Sequence, residues 1–317
     1  MGRRLRSLVH LTGTHMNTAY LYPGQASQFV GMGRDLHEAS PVARDLFATA
    51  NDIMGTDLAT ICFEGPEDTL RQTMYTQPAI FVHSVIVTRM LGIDPVAAAG
   101  HSLGEYSALV AAGALSFEDG LRLVKKRGEL MQESGTRSPG TMAAVIGAEA
   151  SLVEDCCRDA AAAGIVQPAN FNSPGQIVIS GSVEGIDRAM ALLKERGVRI
   201  VKKLPVSGAF HSPLMQYAQD ELGAVLAATP ILDARFPVYT NVSAEPVRAA
   251  EDIRRNLLAQ VTAPVLWEAS MRNMLRDGVT RFVETGPGNV LSGLLKRIDG
   301  EATCQTAGTA EEITALT

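Results

Sequence analysis

The chain has 317 residues, 46% hydrophobic and 20% charged, enough for one large domain that carries a smaller insert. Its 28 basic and 34 acidic residues leave a net charge of −6, a poor balance for non-specific nucleic-acid binding. No apolar run is long enough to span a membrane, and Cys62, Cys156, Cys157 and Cys304 form no cluster at metal-ligand spacing. The expectation is therefore a protein without a metal or resident cofactor, in a reducing, cytoplasmic compartment.

Residues 1–15, MGRRLRSLVHLTGTH, are basic, but their apolar stretch is too short and broken for a secretory signal. They read as a leader or tag remnant, with core-like patterning starting at Met16. Thr18–Tyr22 reads as a strand running into the turn Pro23-Gly24, and helices are predicted around Arg34–Ala50 and Gln77–Leu91. The apolar run Val96–Gly100 suits a buried strand, followed by a helix from Leu103 and another over Phe117–Glu133. Alternating strands and helices argue for a mostly parallel sheet covered on both faces.

From Thr141 the pattern changes. Thr141–Ile146 is strand-like, Leu152–Ala163 helical, Val166–Ala169 and Gln176–Ser180 strand-like, Val183–Arg196 helical and Arg199–Leu204 strand-like. That βαββαβ order is ferredoxin-like. The α/β pattern resumes with a helix from Ser212, a strand near Val238, helices near Ile253 and Val265, a strand at Phe282–Glu284 and a helix from Asn289. The predicted fold is a large α/β-hydrolase-like domain (16–136 and 207–305) with an inserted ferredoxin-like subdomain (137–206) and a C-terminal tail (306–317). A cleft between two such units is a common ligand site.

Gly100-His101-Ser102-Leu103-Gly104 is a G-x-S-x-G sequence in the frame that motif needs, strand before and helix after. The turn exposes Ser102 at a helix N-terminus, where amides favour negative charge on a substrate oxygen. Of the six histidines, His10 and His15 lie in the leader, His37 and His83 in helical segments, and His101 should point away from the hydroxyl beside it. His211 remains, just before Ser212-Pro213, a capped helix start. A loop histidine there suits a general base, and a structural role stays open. Arg127 shares a helix face with Leu123, Val124, Leu130 and Met131, while Arg122, Lys126, Glu129 and Glu133 fall opposite. A guanidinium in an apolar stripe needs an anion: an internal carboxylate or that of a substrate.

GHSLGE (Gly100–Glu105) resembles the signature of malonyl-CoA:acyl carrier protein transacylases and of polyketide-synthase acyltransferase domains. YPGQASQFVGMG, KKRGELMQ, NFNSPGQIVISG, GAFHSPLM, QVTAPVLW and ETGPGNVL resemble further segments of that family in the same order, from Met16 to about residue 300. The resemblance implies Ser102 as acylated nucleophile, His211 as base and Arg127 as ligand of the malonyl carboxylate. It also implies an oxyanion hole from the amides of Gln25 and Leu103, and Gln260 orienting His211 largely through its backbone carbonyl. Phe210 before the base and Leu103 after the nucleophile go with malonyl rather than methylmalonyl in the family. One departure is Ala26, where the family usually has glycine; a positive φ there would strain the turn by about 1 kcal/mol.

The activity implied is malonyl transfer from malonyl-CoA to acyl carrier protein through a malonyl-serine ester, with ping-pong kinetics, for fatty-acid synthesis or in trans to a polyketide synthase. The family usually works as a monomer. A basic patch for the acidic carrier would draw on Lys125, Lys126, Lys194, Arg196, Arg199, Lys202 and Lys203. A serine esterase or thioesterase would instead need an acidic triad member and an apolar acyl pocket, which Arg127 opposes. A non-catalytic carrier-docking subunit is opposed by the presence of Ser102, His211 and Arg127 together.

Overall fold

The structure is a computed structural model that describes residues 17–317; the leader, with His10 and His15, lies outside the described residues. A six-stranded sheet is built from β1 (Thr18–Tyr22), β2 (Ala97–Gly100), β7 (Val238–Tyr239), β8 (Pro246–Val247), β9 (Arg281–Thr285) and β10 (Thr303–Ala307). Its order is β10-β9-β1-β2-β7-β8, parallel throughout except for β8. The central strands are apolar on both faces because both are covered. Tyr20, Tyr22, Ala98, Val238 and Val283 enter one core, while Ala19, Leu21, Ala97, Ala99 and Phe282 enter another.

Helices fill the connections: α1 (Arg34–Ala39), α2 (Pro41–Met54), α3 (Leu58–Glu64), α4 (Glu67–Leu70), α5 (Thr73–Leu91), α6 (Gly104–Ala111) and α7 (Phe117–Arg137) precede the insert. After it come α10 (Gln216–Ala228), α11 (Ala250–Ala259), α12 (Trp267–Arg276), α13 (Val290–Ile298) and α14 (Ala310–Leu316). The single helix predicted over Arg34–Ala50 is two. Ser40 is extended (φ −132°, ψ 127°) because the following Pro41 excludes it from the helical region, and Pro41 then opens α2.

The C-terminal stretch is likewise not a tail. β10 pairs along β9, and α14 is held by a reciprocal Thr309–Glu312 capping box with Ile313 buried. Mixed polarity in β10 and the shortness of α14 hid both from pattern reading.

The insert is β3 (Thr141–Ile146), α8 (Ala150–Ala160), β4 (Val166–Ser173), β5 (Gln176–Gly181), α9 (Val183–Glu195) and β6 (Ile200–Lys203). The antiparallel order β4-β5-β3-β6 is that of a ferredoxin-like unit. Helices α8 and α9 cover one face; Met142, Ala144 and Val178 on the other look into the cleft. β4 is longer than its apolar start predicts. Its second half is tied to the large unit, with Phe171 N–H donating to Val265 O (2.9 Å) and Val265 N–H to Ala169 O (2.8 Å).

Candidate active site

The cleft between the two sheets holds a cavity of about 290 Å³ that reaches Ser102, Arg127 and His211. Ser102, two residues beyond the end of β2, lies in the left-handed region, φ 51°, which costs a non-glycine residue about 1 kcal/mol or more. Two features hold that conformation. A Cβ on Gly100 would stand 1.9 Å from the Gly104 backbone, and one on Gly104 would stand 2.1 Å from Tyr22 O, so only glycines allow so tight a strand-to-helix turn. Asn241 clips the turn from across the sheet: its Oδ1 accepts from Ser102 N–H (2.6 Å) and its Nδ2 donates to Gly100 O (2.7 Å).

His211 lies 2.8 Å from Ser102 Oγ through Nε2. Its Nδ1 faces two backbone carbonyls, Gln260 O at 2.9 Å and Ala263 O at 3.1 Å. A carbonyl can only accept, so Nδ1 carries the proton and Nε2 is the acceptor for the serine hydroxyl. His211 is itself left-handed, φ 56°. Ser212 starts the next turn by accepting from Leu214 N–H, and Gln167 Nε2, reaching over from β4, donates to His211 O (2.9 Å). Burial first, and then the Arg127 charge, hold the imidazole down to about 3. No carboxylate touches it among the described residues. His101 turns away, its Nε2 on Asn172 Oδ1 of β4 at 2.8 Å.

Arg127 is 1% exposed, with Leu123, Val124, Leu130 and Met131 buried beside it on α7. Nη1 donates to Gln77 Oε1 (2.8 Å), and Nη2 donates to Gln260 Oε1 (3.0 Å) and Ser102 Oγ (3.0 Å). Nε has no partner. None of the ion pairs among the described residues includes Arg127. Of the two anions open to it from sequence, no internal carboxylate contacts it; Glu105, one amide away through Gln260, raises the guanidinium's pKa less than burial lowers it. Every polar partner is neutral, and desolvation lowers the guanidinium's pKa. A buried cation so held is poised for an anionic ligand arriving beside Ser102.

The loop after β1 forms the opposite wall. Gly24 packs on the nucleophile turn so closely that a Cβ would meet His101 O at 2.5 Å. Gln25 and Leu103 both line the cavity, and neither backbone N–H has a protein acceptor among the described residues. Ala26 is left-handed, φ 84°, the strained conformation its departure from glycine would entail. Phe210 lines the same space while almost buried.

Three members of the site were given no role in the sequence reading. Gln77 and Glu105 are polar residues inside apolar helices, the same signal that marked Arg127, and could have been found by it. Asn241 follows a two-residue strand and carries no local mark. Glu105 is fully buried and pushed up to about 7 by desolvation, with Asn241 and Gln260 as its hydrogen-bond donors. Of the basic residues proposed for carrier docking, three are engaged locally. Lys125 donates to Ile53 O and Met54 O, Arg196 pairs with Asp159, and Lys203 pairs with Asp187.

A serine in a glycine-framed turn, on a parallel sheet with a ferredoxin-like insert, defines the acyltransferase class. The chain belongs to the acyl transferase domain family, whose match covers residues 19–310. It is 46% identical to the malonyl CoA-acyl carrier protein transacylase of Bacillus subtilis, over 89% of this chain and 90% of that one. The crystal structure of the malonyl-CoA:acyl carrier protein transacylase of Xanthomonas oryzae pv. oryzae superposes with a TM-score of 0.92 at 44% identity, covering 95% of this chain and 98% of that one. A type II polyketide-synthase acyl-carrier protein in complex with its malonyl-transacylase gives a TM-score of 0.92 at 39% identity, with 95% and 98% covered.

Proposed function

We propose that this chain transfers the malonyl group of malonyl-CoA to the phosphopantetheine thiol of an acyl carrier protein, for fatty-acid synthesis in the cytoplasm. The observation that carries the reading is Arg127, a buried guanidinium with no anionic partner, donating to the Ser102 hydroxyl. A dicarboxylic half-thioester supplies the missing anion and places its thioester carbonyl at Ser102. Phe210 crowds the α-carbon and favours malonyl over branched units.

His211 Nε2 takes the proton as Ser102 Oγ bonds to the carbonyl carbon. Negative charge moves to the carbonyl oxygen, received by the amides of Gln25 and Leu103. Collapse breaks the C–S bond, His211 returns its proton to the departing thiolate, and a malonyl-serine ester remains. The carrier thiol then attacks that ester, again losing its proton to His211; collapse breaks the C–O bond to Ser102, whose oxygen takes the proton back from His211 as the malonyl thioester of the carrier leaves. Two successive half-reactions through one ester give ping-pong kinetics. Gln260 O orients His211 without stabilising the imidazolium as a carboxylate would, so the base stays weak and deprotonates a thiol more readily than water.

Mass spectrometry after mixing with malonyl-CoA tests this. One malonyl group on the Ser102 peptide is expected, discharged by a phosphopantetheinylated carrier. No adduct, or equal labelling by acetyl-CoA, overturns it. The likeness to the transacylase bound to its type II polyketide carrier favours a second reading, service to a polyketide synthase. Transfer rates to fatty-acid and polyketide carriers separate the two.

A further inference from the structure

Behind the Ser102 turn lies a buried carboxyl that no step of the transfer touches. Glu105 is 1% exposed, and its Oε2 accepts from the backbone N–H of Asn241 (2.9 Å) and from Gln260 Nε2 (2.8 Å). Gln260 Nε2 also donates to Ser102 O (3.0 Å) and lies 3.3 Å from Asn241 Oδ1. On its other side, Gln260 Oε1 accepts from Arg127 Nη2 (3.0 Å). The two ends of this amide therefore face opposite chemistry: three acceptors around the nitrogen, a cationic donor at the oxygen. Turning the amide over would set its oxygen against those acceptors and its N–H₂ against a guanidinium. Among the three acceptors, Glu105 Oε2 is the one that also takes the Asn241 N–H, so it ties the amide to the segment that clips the nucleophile turn.

We infer that Glu105 is a positioning residue for substrate selection: by fixing the Gln260 amide it keeps Oε1 on Arg127 and the guanidinium aimed at the substrate carboxylate. The inference rests on the proposed pairing of Arg127 with the malonyl group. Asn241 extends the same hold to the nucleophile, since the N–H that donates to Glu105 belongs to the residue clipping Gly100 and Ser102. What is required of Glu105 is an acceptor oxygen at one position; a negative charge is not.

The experiment compares single-turnover acylation of Ser102 by malonyl-CoA and by acetyl-CoA in the wild type, Glu105→Gln, Glu105→Asp and Glu105→Leu. Glu105→Leu is expected to lower the malonyl-over-acetyl preference about tenfold, mostly through a higher KM for malonyl-CoA. Glu105→Gln keeps the acceptor and should hold the preference within about threefold of wild type. Glu105→Asp withdraws the oxygen by one methylene without making the site apolar. It should fall between the two, and it decides the matter if the leucine variant does not fold. An unchanged preference in a folded Asp or Leu variant would reduce Glu105 to scaffolding and overturn the inference. A glutamine variant as impaired as leucine would overturn it too, by pointing to charge. A wild type without preference for malonyl sinks the Arg127 reading itself, which no behaviour of the Glu105 variants can mimic.

Discussion

Two walls of the same cavity are built in opposite ways. Ser102 and His211 sit on irregular backbone, both left-handed, each held by a hydrogen bond between its backbone and a distant side chain. Arg127 sits in the middle of a regular 21-residue helix, with no backbone peculiarity at all. Its tension is electrostatic: a buried charge among neutral amides. The proposed reacting pair thus carries its cost in conformation and the proposed recognition group carries its cost in desolvation, which a bound anion would relieve.

The contrast predicts different failures. Ser102→Ala should abolish the malonyl adduct and cut transfer by about 10⁴-fold or more, with malonyl-CoA still bound through Arg127; mass spectrometry and calorimetry check the two halves. Arg127→Leu should cost about 2–5 kcal/mol in kcat/KM for malonyl-CoA, leaving acetyl-CoA unharmed or improved. Equal losses for both substrates would make Arg127 part of the scaffold.

The base predicts a pH effect. With His211 held at about 3, the acid limb of kcat/KM for acylation should lie well below the ordinary histidine value near 6.5. The same shift weakens the fold in acid. The unfolded chain takes up this proton near 6.5 and the folded one only near 3, so the group's contribution to stability falls as pH drops through that window. An acid limb between 6 and 7 that persists in Glu105→Gln would contradict it. The smallest effect belongs to Ala26→Gly, which should raise stability by about 1 kcal/mol by relieving the φ of 84°, with transfer undiminished; thermal denaturation measures it, and a lower midpoint refutes it.

What the amino-acid sequence determined by itself is what leaves a local trace. The G-x-S-x-G turn is legible because a Cβ on either glycine would meet backbone within 2.1 Å, and Arg127 because a charge interrupts an apolar stripe. The βαββαβ order announced the ferredoxin-like insert in the same way. The short helices between residues 58 and 70, and β10 with α14, were not legible, since a few residues of mixed polarity carry little period.

Only the tertiary structure decided which groups meet. His211 is 109 residues from Ser102, Asn241 is 139 and Gln260 is 158. Residues alone left His211 as the survivor of elimination, and Arg127 with two possible anions. A Cβ on Gly100 would collide with Gly104 inside the turn itself, so that demand is written locally. A hydrogen bond between side chains brought together by strand order places no constraint on the residues beside either partner. For that reason Ser102 could be read from its neighbours, and the meeting of Gln260, Glu105 and Asn241 behind it could not.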